Sequence, residues 1–161
     1  MKSKKPKICT RRGCNEKIPG VGKYCSKICS NFEKLKTVTK LKKAIWRMFS
    51  EKIKERDTKN GYFTCFSCRK YLPVDKYNAG HYKHGDNVGT WIHPKNVHAQ
   101  CATCNLYMNG NRDNYALWLE KTYGFGILQE LDKAYHSNPQ TWTMDMLRAK
   151  YIELYNELLE N

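Results

Sequence analysis

The sequence predicts an α+β protein that is mostly helical and is held together by cysteine-bound metal as much as by an apolar core. Three observations carry that reading. The eight cysteines fall into two sets of four. Apolar residues recur at three- and four-residue spacing through long stretches of the chain, as amphipathic helices require. Short aromatic segments with turn signals flank the second cysteine set, as short strands do.

Taken in order, residues 1–29 form a basic module with Cys9, Cys14, Cys25 and Cys29 spaced C-x4-C-x10-C-x3-C. Residues 30–60 follow as a basic amphipathic segment, and 30–58 read as one helix. Leu35, Val38, Leu41, Ile45, Met48, Phe49 and Ile53 lie on one face and lysines fill the other. Residues 61–123 carry the second set, Cys65, Cys68, Cys101 and Cys104, spaced C-x2-C-x32-C-x2-C. There "GYFTCFSCRKYLP" reads as a hairpin with its knuckle at the turn. A loop with Gly80, Gly85 and Gly89 follows, then "WIHPKNVHAQC" as a second extended piece. "NGNRDNYALWLEKTYG" is helical and ends on Gly124, a C-cap signal. Residues 124–161 add C-terminal helices. Pro139 breaks the chain, and Thr143 can cap a last helix whose stripe is Met146, Leu147, Tyr151, Leu154, Tyr155 and Leu158.

A knuckle of two cysteines aims both thiolates at one point, and two knuckles complete the tetrahedron that Zn²⁺ accepts. Both sets are expected to hold structural zinc, two ions per chain. The alternatives are reduced core cysteines, which need no paired spacing, and a redox pair, which wants a βαβ setting that is missing here. A closed four-cysteine site leaves no open position for substrate. Any chemistry therefore belongs to the 32 residues between Cys68 and Cys101.

Charge points to the partner. Net charge is +14; residues 1–60 hold 19 Lys/Arg against 5 Asp/Glu, and the remainder is balanced at 10 against 10. Such asymmetry favours a polyanion, above all nucleic acid, over a merely solubilising tail. Lys4, Lys5, Lys7, Arg11, Arg12, Lys40, Lys43 and Arg47 are the expected phosphate contacts. No apolar run approaches membrane-spanning length, and no apolar stretch follows the basic "MKSKKPKIC", so neither membrane nor signal peptide is expected and the location expected is cytosolic.

The stretch "AGHYKHGDNVGTWIHPKNVHAQCATCN" resembles the ββα-metal (HNH) nuclease motif, with the knuckle–histidine–asparagine–knuckle–asparagine order of the endonuclease VII type. Over nearly the whole chain, "AGHY", "NVHAQCATCN", "NGN" and "YALWLEKTYG" behind a cysteine module are similar to the NinG (Rap) recombination proteins of lambdoid phages. The resemblance implies a zinc-stapled ββα-metal core and a Mg²⁺- or Mn²⁺-dependent endonuclease acting on branched DNA such as Holliday junctions and D-loops in the bacterial host. It implies His81 as general base, Asn96 as the residue bracing the loop, and Asn105 as a ligand of the catalytic metal. One departure stands out: the motif commonly carries an acidic or histidine ligand directly before the base, and here that position is Gly80. His98 is the first candidate to replace it, because it alternates with Asn96 along the presumed strand; Asp86, His84 and Asp75 are others.

His84, His93 and His136 read as surface or locally bonded residues, Asn109 and Asn111 as turn and cap residues, and Trp46 and Trp91 as buried packing rather than base-stacking platforms. The second reading is a non-catalytic zinc-finger DNA-binding accessory protein, which leaves His81, Asn96 and Asn105 unexplained. A sequence-specific endonuclease lacks an obvious base-reading domain, and a protein adaptor has no use for the charge asymmetry. Two cuts resolve a symmetric junction, so a homodimer suits the activity and the C-terminal stripe can supply its interface; phage recombination proteins are the other expected partners.

Overall fold

The computed structural model describes residues 8, 16–18, 22–24, 26–137 and 141–158, the side chains of 28, 32 and 33 apart. Cys9, Cys14 and Cys25, and with them Lys4, Lys5, Lys7, Arg11 and Arg12, lie outside the described residues. The described residues divide into two compact units. One runs to Ile45 and resumes at Thr143; the other is Trp46–Trp142.

In the first unit, Ile8 and Lys17 form an isolated antiparallel bridge. Helix α1 spans Lys27–Lys34; helix α2, Val38–Asp57, starts in this unit, and its residues from Trp46 on belong to the second. The single helix expected over 30–58 is therefore two. Thr37 explains the break: its hydroxyl accepts the Lys40 N–H (3.2 Å), so it caps a new helix instead of continuing the old one. The β-branched run Thr37, Val38, Thr39 adds a weak helix preference at the junction. Ser26 caps α1 through the Cys29 N–H (3.3 Å), and Cys29 is buried. Along α2, Leu41, Ile45, Met48, Phe49 and Ile53 are buried, while Lys40, Lys43 and Arg47 share an exposed face. The last helix, Met144–Glu157, starts on Thr143, which accepts the Met146 N–H, and buries Leu147, Tyr151 and Leu154.

The second unit is an α+β assembly. Strands β1 (Thr58–Lys59), β2 (Tyr62–Thr64) and β3 (Tyr71–Pro73) make a small antiparallel sheet, with the first knuckle at the β2–β3 turn. Asn60 and Gly61 form the β1–β2 turn with φ of +54° and +78°, a left-handed pair that suits Asn-Gly. Strands β4 (Tyr77–His81) and β5 (Val97–Cys101) form a separate antiparallel pair in which Gly80 faces His98 and His81 faces Val97. All five residues of β5 are buried. A π-helical turn, Thr103–Tyr107, leaves the second knuckle, closed by the Met108 N–H on the Thr103 carbonyl (3.0 Å). Helices α3 (Arg112–Tyr123) and α4 (Ile127–Tyr135) complete the unit, and Gly124 ends α3 at φ +87°. Phe66, Tyr115, Leu119, Ile127 and Leu131 form one core cluster; Phe63, Ala99, Cys65, Cys101 and Cys104 form another.

The end of α2 fixes this hairpin in place. Asp57 accepts the Ala99 N–H (2.8 Å), and Arg56 bonds Asp57 (2.6 and 2.9 Å) together with the Pro94 and Val97 carbonyls (2.7 and 2.8 Å). No described helix is long and apolar enough to cross a membrane.

Candidate metal and catalytic site

The four sulfurs of Cys65, Cys68, Cys101 and Cys104 lie within 4.8 Å of one another, with Cys68 and Cys101 3.9 Å apart. Tetrahedral ligation at a Zn–S distance of about 2.3 Å puts sulfurs roughly 3.8 Å apart, so the cluster has the dimensions of a zinc site. The backbone supports it. The Cys101 N–H points at the Cys65 sulfur (3.3 Å) and the Cys104 N–H at the Cys101 sulfur (3.5 Å), while the Asn111 amide points at the Cys104 sulfur (3.5 Å). Such bonds stabilise thiolate over thiol. Of the first cysteine set only Cys29 is described, so the expected second zinc site falls outside the described residues.

His81 ends β4. Its ring stacks on Trp46, with centroids 4.9 Å apart and planes 19° apart, and its Nε2 lies 2.8 Å from the Trp91 carbonyl. A carbonyl only accepts, so Nε2 carries the proton and Nδ1 presents a lone pair. Burial lowers the His81 pKa below the usual imidazole value and His84 lowers it further, against the opposing pull of the Trp91 carbonyl. The ring is thus neutral, in one tautomer and held flat.

The loop between the strands is braced by Asn96, which is fully buried. Its Oδ1 accepts the Lys83 N–H (2.8 Å), and its Nδ2 donates to the Lys83 and Thr90 carbonyls (3.0 and 2.9 Å). Asn87 makes a second brace, donating to the Tyr135 carbonyl (2.7 Å) and accepting the Gly89 N–H (2.9 Å). These bonds set the position of Trp91, and through its carbonyl the ring of His81.

Asn105 sits in the π-helical turn beside Gly80. A Cβ on Gly80 would stand 2.9 Å from Asn105 Oδ1 and 1.9 Å from Gln100 Oε1. Strand alternation puts Gly80, His98 and Gln100 on one face of the hairpin and His81 on the other. His81 and Asn105 therefore flank the end of β4 from opposite sides.

His98, the first candidate for a metal ligand, is buried against Phe66 (centroids 3.8 Å apart). Instead of an open nitrogen it has both engaged, Nδ1 with the Tyr115 hydroxyl (2.9 Å) and Nε2 with the Tyr123 hydroxyl (2.8 Å). Burial, with Arg56 nearby, depresses its pKa to about 3. A metal reaches a nitrogen here only by displacing a tyrosine. Asp86, His84 and Asp75 are exposed side chains.

The residue that sequence reasoning missed is Gln100. It is fully buried, and its Nε2 donates to Ser67 Oγ (2.5 Å) and to the Gly110 carbonyl (2.7 Å). The Gly110 carbonyl can only accept, so the amide orientation is fixed and Oε1 faces Gly80 and Asn105. Among the described residues no hydrogen-bond donor reaches that oxygen. An unsatisfied buried acceptor costs about 1–3 kcal/mol, more than the roughly 0.5–1 kcal/mol a Cα–H contact from Gly80 returns. The signal was present in the pattern: a glycine on one strand leaves a volume that a long side chain on its neighbour must fill.

Beyond Asn105 the turn presents Leu106, Tyr107 and Met108 to solvent, Tyr107 at 83% exposure. Compared with known proteins, residues 8–160 match a family model described as NinG, bacteriophage lambda NinG protein. No curated protein and no solved structure matches the chain.

Proposed function

The chain belongs to the NinG family of bacteriophage lambda, and on that premise we propose that it is a metal-dependent DNA endonuclease that cleaves branched recombination intermediates by hydrolysing a phosphodiester. The observation that carries this reading is the state of His81. Its proton is held on Nε2 by the Trp91 carbonyl, its pKa is lowered, and Nδ1 has no partner among the described residues. That is a base ready to take a proton from water at neutral pH.

In-line displacement at phosphorus has attacking water on one side and leaving oxygen on the other. His81 is the base on the water's side and Asn105 the donor to the cation near the leaving oxygen. Asn105 offers a hard oxygen donor, and a Mg²⁺ or Mn²⁺ held there would offset charge on the phosphate and leaving oxygen. Asn96 keeps the loop and the His81 ring in register. The four-cysteine cluster stiffens the knuckles and takes no part in the reaction. Lys40, Lys43 and Arg47 supply sequence-independent phosphate contacts. The exposed Leu106, Tyr107 and Met108 favour branches over duplex, because unstacked bases offer faces on which such side chains can pack.

The test uses zinc-loaded protein with a labelled four-way junction and a matched linear duplex, with and without Mg²⁺. Cleavage of the junction alone, dependent on Mg²⁺ and lost in His81→Ala, is expected. Tight junction binding with no cleavage in any divalent metal would leave the non-catalytic zinc-finger accessory protein as the better account.

A further inference from the structure

We propose that the side-chain oxygen of Gln100 is a ligand of the divalent cation that Asn105 binds, taking the place of a side chain at Gly80. The inference rests on the endonuclease reading for the identity of the site, though not for its geometry.

Three observations converge. Gln100 Oε1 is buried and unpartnered, and the Ser67 and Gly110 bonds on Nε2 keep it aimed toward Asn105. Asn105 Oδ1 and Gln100 Oε1 both lie within 3 Å of the point a Gly80 Cβ would occupy, so no more than 4.8 Å separates them. Two oxygens each about 2.1 Å from a Mg²⁺ can be at most about 4.2 Å apart, so small side-chain adjustments bring both onto one ion. Asn105 is half-buried whereas Gln100 is inaccessible, so an ion enters past Asn105 and keeps its waters on that side. The donor set is two neutral carboxamide oxygens, which suits a hard cation and not zinc. It also accounts for glycine at position 80: its backbone is ordinary extended strand, and any side chain would collide with the Gln100 amide.

The test needs no variant at its first stage. In ¹⁵N-labelled, zinc-loaded full-length protein, substoichiometric Mn²⁺ should bleach the side-chain NH₂ resonances of Gln100 and Asn105 before those of Asn96 and Asn87, with Mg²⁺ competing. Bleaching of neither overturns the proposal, and since an ion on Asn105 alone would also lie close to Gln100, the second stage decides whether Gln100 is a ligand. At the second stage, Mn²⁺ affinity is read by electron paramagnetic resonance. Gln100→Leu should weaken it by at least about tenfold, as loss of a metal-site interaction does. Ser67→Ala cuts one of the two bonds that aim the amide and keeps the oxygen, so it should weaken Mn²⁺ binding less than Gln100→Leu does. Equal affinity in Gln100→Leu with zinc retained overturns the assignment. His81→Ala should bind Mn²⁺ normally. Failure of the endonuclease reading thus shows separately, as an uncut junction despite a bound ion.

Discussion

His81, half-buried, and His98, buried, both have lowered pKa values, and their surroundings give them opposite uses. His81 has one nitrogen committed and one open, and His98 has both committed. His81→Ala should lower single-turnover cleavage by at least about a hundredfold, the scale of general-base catalysis, and added metal should restore nothing. Asn105→Ala should be partly rescued by higher Mg²⁺. Because the His81 pKa is lowered, the acid limb of the pH–rate profile should fall below pH 6.5, and Trp46→Ala, which opens one ring face to water, should move that limb upward. His98 should show in stability. Its folded pKa of about 3 lies below its unfolded value, so below pH 6.5 the unfolded chain binds more protons and acid destabilises the fold. The slope is roughly 1.4 kcal/mol per pH unit. Between pH 6.5 and 5, His98→Phe should therefore lose about 2 kcal/mol less stability than wild type on acidification, measured by urea unfolding. The four-cysteine cluster was legible in the sequence because paired cysteines at fixed spacings are conspicuous. Gln100 was not, because a glutamine gains its meaning here only from the neighbour that lacks a side chain.

The elements divide by how local their causes are. The β2–β3 hairpin, the Gly124 stop of α3 and the Thr143 start of the last helix were readable, since each depends on residues a few positions apart. The break between α1 and α2 was not, because apolar spacing continues across Leu35–Val38 while capping by Thr37 decides the outcome. The separation of β1–β2–β3 from β4–β5 was equally hidden, for it depends on pairing between distant segments. Knuckle and hairpin share one core cluster of Phe63, Ala99 and three of the cysteines, so metal and packing cannot be lost separately. Cys65→Ser or Cys104→Ser should release zinc and unfold this part together, with loss of β4–β5 amide protection in hydrogen exchange. Retained protection after zinc loss would show that the apolar cluster suffices.

For the molecule as a whole, charge is the property with the longest reach. All of the net +14 arises from residues 1–60, and the exposed Lys40, Lys43 and Arg47 are among the described residues that carry that field. Counterion release makes the slope of log affinity against log salt proportional to the phosphates neutralised. Removing residues 1–29 should flatten that slope for junction and duplex alike, leaving their ratio little changed, because phosphates are common to both. An unchanged slope on filter binding or fluorescence anisotropy would exclude the N-terminal segment as a DNA clamp. The α+β class and the charge division were readable because they are sums over many residues. The two-unit division of the described residues was not, since residues 143–158 join a unit that begins far away in sequence.

The glycine at 80 also constrains descent. Positions 80 and 100 compete for one volume, so a side chain can be gained at the first only after the second has shrunk. A lineage moving between the two arrangements must cross an intermediate that has neither group, and its first step is the harmful one. Gly80→Asp should therefore fail alone and be tolerated beside Gln100→Gly, a sign-dependent pairing that would keep descendants of this chain on the side of the valley where they began.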